Sequence, residues 1–257
     1  MNDERIEARM CQAANDKSVI PIAGRERGSR MIGVEHGDSD WDAFLLFAQP
    51  AEEYATLSGY TDTLSRKFDN ENIDIHGWNV QKLAQLALDS NPNATEFLMS
   101  EKQYFVASDE IGRLLDECKT EMLHNFNHMA LYHHYLSLAR SNYEKYIASG
   151  NDCTSNRQFY VTRATAMAKY IRCEGQWPPL NVWDLLRLET VLEEGERNLL
   201  ETLSHKKSDG ELGEMPDQCG PFLEREADAP MEPQDDRINQ PSKEPFNDLI
   251  RAAIQEE

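Results

Sequence analysis

The run Ala43-Phe44-Leu45-Leu46-Phe47-Ala48, closed by Pro50, restricts the possible folds more than any other stretch of the chain. A short continuous apolar run between turn signals reads as a strand buried on both faces, which requires a sheet with covering layers on each side. The run is entered through Asp40-Trp41-Asp42. Carboxylates spaced by two point to one face of a strand, so Asp40 and Asp42 share a face while Trp41 turns to the core. A third acid alternates with apolar neighbours in Ile73-Asp74-Ile75, a second strand pattern that Gly77 ends. Upstream, Gly28-Ser29-Arg30 stands at a strand-to-helix turn. There, backbone N–H groups and a hydroxyl can meet a phosphate. Together these residues describe a metal-triphosphate site.

The chemistry explains the residue types. Transfer of a phosphoryl-linked group depends on in-line positioning and on neutralising oxygen charge with a divalent metal. Mg2+ prefers hard carboxylate oxygens and keeps water and phosphate ligands, so two or three aspartates suffice. Asp40 and Asp42 are the expected ligands of Mg2+ or Mn2+. Asp74 is the expected third ligand, or the carboxylate that draws the proton from an acceptor hydroxyl. Read singly, Asp38-Ser39-Asp40 is a polar turn and Asp74 a strand-edge residue; the Gly28-Ser29 pair upstream favours the site.

With 46 acidic and 26 basic residues among 257, the formal charge is −20. That balance argues against broad, salt-sensitive binding along a nucleic-acid backbone, so a polynucleotide acceptor has to be gripped locally. There is no apolar run of membrane-spanning length, and Met1-Asn2-Asp3-Glu4-Arg5 lacks the hydrophobic segment of a signal peptide, so a cytoplasmic protein with no membrane partner is expected. The five cysteines have no paired spacing and indicate neither a disulfide framework nor a zinc knuckle.

Periodicity predicts a helix over 4–14 and a strand over 18–23 whose Pro21 suits an edge or a strand end. A short helix over 51–58 and another from Val80 to Leu88 follow, the latter stopped by Asn91-Pro92. Candidate helices over 111–123, 129–148, 157–173 and 182–204 make the second half helical. The expected fold is α+β: a catalytic core over 1–106 with a small mixed sheet, a helical domain over 107–205, and an acidic, largely disordered tail over 206–257. The tail's composition cannot bury enough apolar surface to offset chain entropy, apart from a short amphipathic helix over 245–254 able to dock on the body.

Gly28-Ser29, the spacer and Asp40-Trp41-Asp42 are similar to the nucleotidyltransferase core of the DNA polymerase beta superfamily. The second-half motifs narrow the likeness: Asp74-Ile75-His76-Gly77-Trp78, Asn91-Pro92, Glu96-Phe97-Leu98, His133-His134-Tyr135-Leu136-Ser137-Leu138-Ala139-Arg140 and Phe159-Tyr160-Val161-Thr162-Arg163. In this order, from about Gly24 to Pro179, they resemble a branch of predicted nucleotidyltransferases linked to RNA repair through association with RNA ligase. The resemblance implies a polymerase-beta-like palm with a helical companion, a divalent metal and a nucleoside triphosphate. It also implies an arginine at position 163 as phosphate ligand, with Tyr160 one helical turn before it, and Gly28, Ser29 and Arg30 at the nucleotide. The chain departs from the branch at Asn79 and Gln81, where an acid and an arginine are usual. It departs again at Arg157-Gln158, where lysines are usual, and at Ala164, where a proline is.

The expected activity is metal-dependent nucleotidyl transfer from a nucleoside triphosphate to a hydroxyl acceptor, an RNA end among the candidates, with release of pyrophosphate. An RNA ligase is the corresponding pathway partner. Two other readings stay open: a protein-modifying enzyme of AMPylation type, and a non-catalytic nucleotide-binding regulatory module. His124, His128, His133 and His134 lack the carboxylate of a recognised metal motif and read as packing residues. Tyr132, Tyr135, Tyr143 and Tyr146, at helical spacing, read as core rather than as base-stacking platforms.

Overall fold

The computed structural model describes residues 3–57, 59–188, 190–231 and 240–256. The chain divides into two units: Met1–Met31, Ser39–Phe126 and Asn239–Glu257 form unit 1, and Ile32–Asp38 with Asn127–Ile238 form unit 2.

Unit 1 is built on a five-stranded mixed sheet. Its strands are β1 (Ile20–Glu26), β2 (Trp41–Ala48), β3 (Thr63–Phe68), β4 (Ile73–Asn79) and β5 (Gln103–Val106), in the order β3-β4-β2-β1-β5. β2 runs parallel to β4, and the other neighbours are antiparallel. The apolar run makes β2 the middle strand. Ala43, Leu45 and Phe47 pack with Ile6, Met10, Ala13 and Ala14 of helix α1 (Asp3–Asn15). On the opposite face Phe44 meets Phe97, at 5.2 Å between ring centroids, on helix α4. The intervening helices of this unit are α2 (Gly28–Met31), α3 (Val80–Leu88), α4 (Pro92–Met99) and α5 (Asp109–His124). Arg25, on β1, is buried and donates to the carbonyls of Phe97, Leu98 and Ser100 at 3.2, 2.6 and 3.4 Å. It thereby satisfies carbonyls at the buried C-terminal end of α4, where a cation is favoured.

Of the two places that suit Pro21, an edge or a strand end, the structure uses the strand end. β1 lies between β2 and β5, and Pro21 sits at its beginning, where the register shifts between Pro21 and Ala23. A bulge tolerates the missing N–H that a regular ladder would need. The departure at Asn79 has a structural account. Asn79 is fully buried, and its side chain caps α3 by accepting from Gln81 N at 2.9 Å, a position where Asn and Asp serve equally.

Unit 2 is helical: α6 (His128–Asn142) continues into a π-helical turn over Tyr143–Ala148, followed by α7 (Ser155–Glu174), α8 (Val182–Arg187) and α9 (Glu194–Ser208). Tyr132 and Tyr135 are buried, as the core reading expects, whereas Tyr143 and Tyr146 are only half-buried: the Tyr143 hydroxyl donates to Asp217 at 2.8 Å and the Tyr146 ring meets Arg157. The disordered-tail expectation is corrected here. α9 continues to Ser208, and a further helix α10 (Gly220–Asp228) packs on α7. Composition hid this because the acidic residues are paired. Glu226, only 2% exposed, takes both Nε and Nη2 of Arg172 at 2.8 Å, and Phe222 and Leu223 are buried beside it. Gln158, at one of the branch departures, is fully buried and donates to the carbonyls of Met215 and Pro216, fastening the segment before α10. The last helix, α11 (Glu244–Ala253), belongs to unit 1, where it packs on α5 and α3. Residues 232–239 of the expected linker lie outside the described residues.

Candidate active site

Asp42 and Asp74 are direct partners across the parallel pair β2/β4. Side chains alternate along a strand, so Phe44 continues the Asp42 face, while His76 and Trp78 continue the Asp74 face. β4 shows this in its burial: Ile73, Ile75 and Gly77 are buried, whereas Asp74, His76 and Trp78 stay partly open. His76 Nε2 stands 3.4 Å from Asp74 Oδ1.

Gly28 explains why a glycine precedes the serine. It adopts φ +69°, and a Cβ at its position would fall 2.0 Å from Asp42 Oδ2. The backbone at the start of α2 therefore lies directly against the Asp42 carboxylate. Arg27 N donates to Asp42 O at 2.9 Å and fixes that approach. Ser29 follows, half-buried, on the single turn of α2.

The Asp42 carboxylate accepts no hydrogen bond among the described residues. Its pKa is raised above the ordinary aspartate value, first by burial. Asp74 and Asp40 add to the rise, and the opposing pulls of Arg27 and His76 do not cancel it. The neighbouring Glu26 is also raised by burial, and it is 5% exposed. Its Oε2 takes the Tyr104 hydroxyl at 2.6 Å, while Oε1 is buried with no hydrogen-bond partner. Negative charge is thus concentrated and incompletely matched around Asp42, as expected where a cation binds.

The remaining expected residues fall as follows. Asp40 is exposed, one residue ahead of β2, and reaches Asp42 as a repelling charge. Among the described residues no group of three or more His, Cys, Asp or Glu side chains is gathered closely enough to hold a metal. A carboxylate pair remains a suitable donor set for Mg2+, which completes its shell with water and phosphate. Arg30 stacks on Trp41, 3.6 Å from guanidinium carbon to ring centroid, and donates to Ser39 O at 3.3 Å. Trp41 packs with the core on the α1 side, as the alternation requires, so Arg30 is engaged with Trp41 and Ser39 rather than with the Asp42 carboxylate. Tyr160 and Arg163 belong to α7 in unit 2. Arg163 Nη2 donates to Leu180 O at 3.1 Å, and its Nε is buried without a partner. Lys207, 6% exposed, lies 4.9 Å from the Tyr160 ring centroid and donates to Asn156 Oδ1 at 2.7 Å.

Glu26 and Arg27 were not among the residues expected from sequence. Both adjoin the Gly28-Ser29 signal, which could have pointed to them.

The pattern of the RNA repair pathway DNA polymerase beta family matches residues 3–252. The uncharacterized protein YcgL of Bacillus subtilis (strain 168) is 29% identical over 213 residues, which cover 80% of this chain and 78% of that protein. A solved nucleotidyltransferase-like protein from Exiguobacterium sibiricum 255-15 is 15% identical with a TM-score of 0.30, covering 78% of this chain and 77% of its own. No helix among the described residues is long and apolar enough to cross a membrane.

Proposed function

Because the chain belongs to the RNA repair pathway DNA polymerase beta family, we propose that it transfers a nucleotidyl group from a nucleoside triphosphate to a hydroxyl acceptor, an RNA end, and releases pyrophosphate. The observation that carries this reading is the opposition of Asp42 and Asp74 across β2/β4, with the Gly28 backbone against Asp42.

Asp42 and Asp74 would hold Mg2+ or Mn2+, which would supply charge neutralisation at the phosphoryl oxygens, and Asp40 adds its negative charge from the strand entry. The turn at Gly28-Ser29 brings N–H groups and the Ser29 hydroxyl to the outer phosphates, on the side where α2 begins. Asp74 lies at the open face of the sheet, beside His76, where it can receive the proton of the attacking hydroxyl.

The test is to incubate the protein with Mg2+ or Mn2+, each α-labelled nucleoside triphosphate in turn, and either RNA with defined ends or protein acceptors. Label on RNA is the expected result. Label on a protein hydroxyl would move the acceptor to that class, and binding without any transfer would favour a regulatory module.

Gly28→Ala is expected to abolish most transfer with the fold retained. The new methyl group must displace the Asp42 carboxylate, and φ is strained for alanine. Circular dichroism and label transfer on the same preparation check it; wild-type turnover would show that the Gly28–Asp42 contact is unimportant.

A further inference from the structure

Arg27 ends the approach of β1 to the acidic pair. Its backbone is pinned to Asp42 O, and its guanidinium carbon lies 5.8 Å from the Phe44 ring centroid. Phe44 is two residues beyond Asp42 on β2, so the guanidinium stands on the carboxylate face of the sheet. There it borders a small cleft with Met31, Trp78 and Glu96.

The surroundings of the other arginines in this unit show what is unusual. Arg25 is consumed by three carbonyls, Arg9 by Glu71, and Arg30 by Trp41 and Ser39. The Arg27 guanidinium donates no hydrogen bond and forms no ion pair among the described residues. This is so in a chain with 46 acidic residues. A half-buried guanidinium with all its donors idle, beside carboxylates that a cation is to neutralise, is suited to an oxyanion brought in with that cation. The planar fork matches phosphate oxygens in a way that an ammonium does not.

We propose that Arg27 is a phosphate-binding residue of this site, donating to non-bridging oxygens of the triphosphate held at Asp42 and Asp74. The assignment rests on the nucleotidyl-transfer reading and extends it. It gives the site a cation of its own on the protein side, which a chain of this net charge requires for an anionic substrate. The competing role is electrostatic only: Arg27 as the standing counter-charge of Asp42.

Calorimetry separates the two roles, using Arg27→Lys and Arg27→Met with Mn2+ alone and then with Mn2+ and each nucleoside triphosphate. Phosphate binding predicts a loss of triphosphate affinity of about 10- to 100-fold in Arg27→Met, the range for a charge-assisted hydrogen bond. Arg27→Lys should recover only part of it, and affinity for Mn2+ alone should not fall. Unchanged triphosphate affinity, together with tighter Mn2+ binding, would overturn the proposal and leave Arg27 as a counter-charge. Wild-type protein that binds no triphosphate would overturn both this assignment and the transfer reading. Wild-type protein that binds triphosphate without transferring it would remove the reaction alone, since the Arg27 comparison is still read from binding.

Discussion

Asp42→Asn and Asp74→Asn are each expected to reduce nucleotidyl transfer on the order of 1,000-fold, since metal stabilisation of transition-state charge is worth several kcal/mol. The double variant should lose little more than either single one, because the two carboxylates act as a unit. Asp42→Asn should also melt at a higher temperature than wild type in the absence of divalent metal. The sign follows from the raised pKa of Asp42. The folded protein holds that proton more tightly than the unfolded chain does. Its contribution to stability is therefore fully present below the ordinary aspartate pKa and is lost as pH rises through the folded value. At neutral pH the ionised carboxylate, buried beside Asp74 and Asp40, is a burden that Asn lacks. Mn2+ should raise the wild-type melting temperature and leave that of Asp42→Asn nearly unchanged. Thermal melts with and without Mn2+, alongside label-transfer rates, check all of these outcomes; equal melting temperatures at every metal concentration would count against a cation at Asp42.

Phe246→Ala is expected to cost about 3–5 kcal/mol of unfolding free energy, as a fully buried aromatic replaced by a methyl group does. Phe246 is 1% exposed, and with Leu249 at 1% and Ala253 at 0% it forms the buried stripe of α11. That helix packs on α5 and α3, and its flanks are tied down by Ser242 N donating to Glu121 and Ser108 Oγ to Glu256. The terminal helix expected over 245–254 to dock on the body is thus part of the core of unit 1. Urea unfolding should show a lower midpoint with an unchanged slope. The exposed neighbour change Glu244→Gln should shift stability by less than about 0.5 kcal/mol. A Phe246→Ala midpoint equal to that of wild type would mean that α11 does not dock as described.

What could be read from the sequence followed from pattern strength. The six-residue run at Ala43–Ala48 and the alternation at Ile73-Asp74-Ile75 are strong signals, and both are strands of unit 1. Their direct pairing, which sets Asp42 opposite Asp74, depends on a parallel crossover that no local pattern encodes. β3 was missed because an edge strand reading Thr-Leu-Ser-Arg-Lys-Phe carries little hydrophobic alternation, and β5 because it has four residues. α10 was missed for a different reason: acidic composition signals disorder only while the acids are solvated. Glu226 is buried against Arg172, a pairing that neither window of sequence reveals. At the site, the Gly28-Ser29 and Asp42 signals were legible as chemistry. Arg27 was not, because its significance lies in the partners that its side chain lacks.

The most direct measurement is a crystal structure of the protein with Mn2+ and a non-hydrolysable nucleoside triphosphate, read by anomalous scattering at the manganese edge. The account predicts an anomalous peak shared by the Asp42 and Asp74 carboxylates, with the triphosphate chain running from it toward Gly28-Ser29. Bound triphosphate with manganese away from this pair, or triphosphate held elsewhere on the chain, would contradict it.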